Sequence, residues 1–158
     1  MTPTGLPAMN VSRRRPQAGF TLVEMAVVAT LISILAAVAL PAYKDAIDRS
    51  HRSGARQALL TAAQWMERNY SSNNTYCASA TDCGSDPLPE SLKAVPSSGT
   101  RAYTVTARTA SASQYLLTAT PVSNGPMRSD NRCKALTLDH RGVQAVTGTD
   151  TAEACWRK

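Results

Sequence analysis

Few residues in this chain could do chemistry, and their spacing excludes more than it permits. There are four cysteines, Cys77, Cys83, Cys133 and Cys155, and two histidines, His51 and His140. No two cysteines form a Cys-x-x-Cys pair and neither histidine lies near them in sequence, so zinc is a poor reading. Neither histidine has a serine or cysteine partner in a pattern that suggests nucleophilic catalysis. Asp82, Asp86 and Glu90 fall in one segment, but not at the spacing of a calcium-binding loop. No catalytic residue, metal or cofactor is expected, and the chain does not read as an enzyme. An even number of thiols, all beyond a long apolar run, suggests disulfides made in an oxidising compartment. Three pairings are open; proximity favours Cys77–Cys83 and Cys133–Cys155.

The acid that most needs a partner is Glu24. Arg13-Arg14-Arg15-Pro16-Gln17-Ala18 lead into Gly19-Phe20-Thr21-Leu22-Val23-Glu24, and an apolar segment follows from Met25 to Leu40. A carboxylate in hydrocarbon costs about 2.5–3.5 kcal/mol even on lenient insertion scales. A secretory signal is one reading, with Ala37-Val38-Ala39 as a small-residue cleavage site. A plain anchor is another: Phe20 to Leu40 as a helix spans about 31 Å, enough for a bilayer core. The three arginines would then stay on the cytoplasmic side. The carboxylate counts against a signal, whose apolar region rarely opens with one; in an anchor, Glu24 near the inner boundary would simply reach the headgroups.

The run Gly19 to Glu24, a basic leader before it, an apolar helix after it, and Pro41 and Tyr43 at the far end together resemble the type IV pilin family. That resemblance implies that a prepilin peptidase cuts between Gly19 and Phe20 and methylates the new amine of Phe20. It implies, too, that Glu24 pairs with the Phe20 amine of a neighbouring subunit in a filament. A paired charge is tolerable in a low-dielectric setting where a lone one is not. The leader, 1–19, is longer than usual for the family, and translation could start at Met1 or at Met9.

Charge follows the same division. The chain carries 17 basic and 11 acidic side chains, a net charge of +6. Removing the leader with its three arginines leaves 14 against 11, or +3, which is no nucleic-acid footprint by itself.

The elements behind this front end are a long helix and a small sheet. The stretch 20–43 reads as a transmembrane and filament-core helix, kinked at Pro41. The stretch 44–70 reads as an amphipathic helix whose apolar face, from Tyr43 and Ile47 through Ala58, Ala62 and Trp65 or Met66 to Tyr70, packs under a head. Asp45 with Arg49 and Asp48 with Arg52 stand at i,i+4 spacing, and Arg49, Arg52 and Arg56 read as a solvated or subunit-contacting face. The head, 71–158, begins with an irregular segment as far as Pro96. Alternating runs at Tyr103–Arg108, Tyr115–Thr120, Leu136–Asp139 and Val143–Val146 then predict about four antiparallel strands covered by the helix, an α+β arrangement.

This order also resembles the pilin family, and the C-terminal Cys133…Cys155-Trp156 segment looks most like a PilE-type minor pilin. The resemblance implies a structural subunit of a type IV pilus, supporting assembly, adhesion and twitching motility. Its implied partners are the prepilin peptidase, other pilin subunits, the inner membrane before assembly and, in one variant, DNA. The implied location is the inner membrane, N-terminus inside and head in the periplasm, and then an extracellular pilus. Two rivals share the front end: a type II secretion pseudopilin, and a pilin-like DNA-uptake receptor. The second would need Arg101, Arg108, Arg128, Arg132, Lys134, Arg141, Arg157 and Lys158 to cluster on one face.

Overall fold

The computed structural model describes residues 19–79 and 81–157. The leader arginines, the alternative starts and Lys158 lie outside the described residues. The chain divides between Leu40 and Pro41 into two compact units. Helix α1 (Leu22–Asn73) contributes to both, with Pro41 inside it.

In the first unit the helix starts on a cap. Glu24 donates its backbone N–H to Thr21 Oγ1 at 3.2 Å, the Ser/Thr-x-x-Glu arrangement of a capping box. The hydroxyls of Thr30 and Ser33 donate to the carbonyls of Ala26 and Ala29, both at 2.8 Å. These polar groups are therefore satisfied within the helix, as an apolar surrounding demands. The most apolar window of α1 has a mean hydropathy of 2.4, and none of it is buried.

The second unit opens on the rest of α1. Its buried stripe is Arg52, Ala55, Leu59, Ala62 and Met66, a 3-4-3-4 spacing that keeps one face against the sheet. The expected packing face is thus corrected at its front. Tyr43 is 68 % exposed and Ile47 also faces out, and packing against the head begins only at Arg52. Ala62 and Met66 lie in the stripe, whereas Ala58, Trp65 and Tyr70 pack at its side. The helix ends at Asn74, which takes the left-handed conformation (φ 56°) and donates its N–H to the Tyr70 carbonyl at 2.7 Å.

Five strands follow, one more than expected. The extra one, β1 (Ala94–Val95), comes directly after the one-turn helix α2 (Glu90–Lys93). Three prolines in this segment hide its regularity in the sequence. The others are β2 (Tyr103–Ser111), β3 (Gln114–Pro121), β4 (Leu136–Asp139) and β5 (Gln144–Val146), and α3 (Ala152–Arg157) closes the chain. The sheet is an antiparallel meander in the order β1-β2-β3-β4-β5. Alternation sorts its faces. Tyr103, Val105, Ala107, Tyr115, Leu117, Ala119, Leu136 and Leu138 face the α1 stripe in one core cluster. The other face carries threonines opposite one another: Thr104 with Thr120, Thr106 with Thr118, and Thr118 with Thr137.

Two disulfides staple the head, Cys77–Cys83 across six residues and Cys133–Cys155 across twenty-two. In the chain-entropy picture they stabilise by about 2 and about 3 kcal/mol. The acids of the first loop are engaged locally. Asp82 accepts the N–H groups of Gly84 and Ser85, Asp86 those of Leu88 and Ala107, and Glu90 pairs with Lys93.

Candidate functional site

In the first unit Gly19 is exposed and a Cβ built on it meets nothing within 4 Å. Phe20, Leu22, Val23, Met25, Val27, Val28, Leu31, Ile32, Ile34, Leu35, Val38 and Leu40 are all exposed. A stripe of that area is not stable against water and requires an apolar cover. Glu24 sits in the first turn of α1, where the helix dipole favours a negative charge by about 0.3–1 kcal/mol. That is less than the cost of burying it unpaired, so the cap geometry alone does not account for a glutamate here.

In the second unit two arginines of α1 hold the C-terminal loop. Arg52 donates from Nε and Nη2 to the two carboxylate oxygens of Asp130, both at 2.8 Å. The Asp130 side chain is 2 % exposed and that of Arg52 is 11 %. Asp130 also accepts the backbone N–H groups of Arg132 and Cys133. Burial alone pushes its carboxyl up, but Arg52 and those N–H groups bring it below the ordinary carboxylate value. Arg56 donates to the carbonyl of Trp156, and the Trp156 indole N–H donates to the Ala145 carbonyl at 3.2 Å.

The expected arginine face therefore divides. Arg52 and Arg56 turn inward to the head. Among the described residues, neither Asp45–Arg49 nor Asp48–Arg52 forms an ion pair; Arg52 takes a planar, bidentate, desolvated partner over an exposed i,i+4 one. A second polar tie joins helix and sheet: the Glu67 carboxylate accepts the hydroxyls of Tyr76 at 2.9 Å and Tyr115 at 3.1 Å. Burial, then Glu67, pushes the Tyr76 phenol up to about 12, and the same causes raise Tyr115 further.

The basic residues of the head also divide. Arg132 pairs with Asp150, Arg141 with Asp139, and Arg157 with Glu153. Among the described residues Arg101, Arg108, Arg128 and Lys134 form no ion pair. Arg128 and Lys134 line one recess of about 460 Å³ with Thr120, Ser123 and Asn131. Nearby, Gly125 packs on the Arg101 carbonyl, where a Cβ would come within 2.7 Å. Arg108 and Arg141 lie at the other end of β3, with Gln114 and His140.

Residues 41–137, most of the second unit, match a family profile described as type IV minor pilin ComP, DNA uptake sequence receptor. The chain belongs to this minor pilin family. Residues 14–40 match the prokaryotic N-terminal methylation motif, and long helix, irregular loop and antiparallel sheet come in the order that the resemblance implies. Among curated relatives, the fimbrial protein EcpC of Eikenella corrodens is 52 % identical over 42 residues, 27 % of this chain and 28 % of that protein. A fimbrial protein of Neisseria meningitidis is 40 % identical over 74 residues, 42 % of this chain and 44 % of that protein. The chain thus spans under half the length of these relatives. A solved structure, the non-core minor pilin PilV of Neisseria meningitidis, is 27 % identical with a TM-score of 0.47, covering 66 % of this chain and 91 % of that one.

Proposed function

We propose that this chain is a minor structural subunit of a type IV pilus, not an enzyme. The observation that carries the reading is the pairing of Gly19-Phe20-Thr21-Leu22-Val23-Glu24 with a first helical stretch, up to Leu40, whose large apolar side chains are all uncovered. Prepilin peptidase cuts after Gly19 and methylates the amine of Phe20. Before assembly the helix sits in the inner membrane, single-pass, with the N-terminus inside and the disulfide-bonded head in the periplasm. On assembly it moves from lipid into a bundle of like helices, one apolar cover replacing another. Glu24 then meets the cationic amine of a neighbouring Phe20, Pro41 lets the helix bend, and the head faces outward. In this role the subunit supports pilus assembly, adhesion and twitching motility. Filaments sheared from cells should contain the processed chain. Recovery of the chain only as a soluble protein in the medium contradicts the reading.

A second reading, uptake of DNA, is favoured by the family description and by the recess that holds Arg128 and Lys134. The full processed chain in detergent should then bind duplex DNA with steep salt dependence. Arg128→Gln with Lys134→Gln should flatten the slope of log K against log salt by about 2, roughly 0.9 for each phosphate no longer neutralised. An unchanged slope removes these two residues from any role in holding DNA.

A further inference from the structure

A second recess, of about 480 Å³, opens on the sheet face that α1 does not cover, at the Gln114 end of β3. The strand register builds it. Arg108 on β2 is opposite Leu116 on β3, and Leu116 is opposite Asp139 on β4. Arg108 and Asp139 are thus two strand spacings apart, about 9–10 Å, with Leu116 as the floor between them. That leucine is 41 % exposed on a face otherwise made largely of threonines. Gln114 closes the hairpin side, and His140 and Arg141 close the turn side.

The charges in this recess are not balanced. Asp139 is the acid of its rim, and its carboxylate is already engaged. It accepts the backbone N–H groups of Val143 at 2.8 Å and Arg141 at 2.9 Å, and the Arg141 guanidinium from two nitrogens at 3.3 Å. Those bonds hold Arg141 at the rim. Arg108 across the floor has no acid partner among the described residues. The His140 ring lies edge-on to Tyr115, centroids 6.3 Å apart, and its backbone N–H is taken by the Tyr115 carbonyl. Two guanidinium groups, an imidazole and a primary amide therefore surround an apolar floor.

We propose that this recess binds a small anionic ligand: a carboxylate or phosphate monoester, held by Arg108 and Arg141, on a compact ring-bearing molecule whose apolar side rests on Leu116. A guanidinium fork suits both anions, and the volume suits one or two rings. Tyr115 lines the recess but is buried, so the apolar side of the ligand has Leu116 rather than the Tyr115 ring to rest on. The inference does not depend on the pilus reading.

The test is titration of the full isotope-labelled chain in detergent with inorganic phosphate, glucuronate, a mononucleotide and duplex DNA, followed by NMR. A ring-bearing anion should give saturable shifts at Leu116, His140 and Arg141, and Arg108→Gln should weaken it about tenfold. Arg101→Gln, away from the recess, should leave binding unchanged. Stronger binding of glucuronate than of the mononucleotide would assign a sugar carboxylate, and the reverse a phosphate. No saturable shift with any small anion, or equal binding by the Arg108→Gln chain, overturns the proposal. So does a response to duplex DNA alone.

Discussion

Glu24→Ala chains are expected to be cut after Gly19 at the normal rate and yet to enter filaments on the order of a hundredfold less. The magnitude follows from what the substitution leaves behind. If Glu24 pairs as proposed, removing the carboxylate leaves the amine of a neighbouring Phe20 buried unpaired, at a cost of about 3–5 kcal/mol, and about 3 kcal/mol is a factor of roughly 150 in an equilibrium. The local alternative is smaller. Glu24 also stands in the first turn of α1, beside the Thr21 cap; removing its favourable position in the helix dipole costs about 0.3–1 kcal/mol, and removing the cap about 1 kcal/mol. Thr21→Ala is therefore the control. If Glu24→Ala subunits assemble as well as Thr21→Ala subunits, the pairing with Phe20 does not drive assembly and Glu24 acts only on its own helix. Quantifying each chain in sheared filaments against the membrane fraction separates the two.

The second large effect lies in the head. Asp130→Ala should lower the free energy of unfolding by about 3–5 kcal/mol, because it leaves Arg52 nearly buried without a counter-charge and strips the Arg132 and Cys133 N–H groups of their acceptor. The exposed pairs of Arg141 and Arg157 should matter far less. Urea unfolding measured across pH supplies the sign. In the folded chain the Asp130 carboxyl lies below its ordinary value, so the stabilisation is complete above the unfolded carboxylate pKa of about 3.9. It is lost as pH falls through the lower folded value. An Asp130→Asn chain should lack that acid-side loss. If it keeps the wild-type profile, the pair does not govern acid stability.

Local pattern made much of this architecture legible. The alternation at Tyr103–Ala107 and Tyr115–Ala119 assigns the buried face of two strands, because a period of two leaves no choice once one face is apolar. The end of α1 was legible only to within a turn: the expected helix stops at Tyr70, whereas α1 runs on through Asn73, with the Ser71 and Ser72 hydroxyls donating back to the Glu67 and Arg68 carbonyls inside it. Two features were not legible. Arg52 looks like a surface arginine with Asp48 one turn away, and its partner Asp130 is 78 residues distant. No local rule connects such a pair. The phase of the helix stripe was equally hidden, since Ala55 and Ala58 are alike in hydropathy and the sheet decides between them. Strand β1 escaped because two residues between a helical turn and Pro96 carry no period.

At the front end the motif is plain in the sequence, and the structure adds the cap at Thr21 and an uncovered apolar stripe. Both leave the central claim in a single peptide bond. The intact mass and N-terminal sequence of the mature protein, recovered from membranes, test it most directly. The expected result is a chain that begins at Phe20 with one added methyl group on its amine. A mature chain that begins at Leu40, after a cut at Ala39, would contradict it.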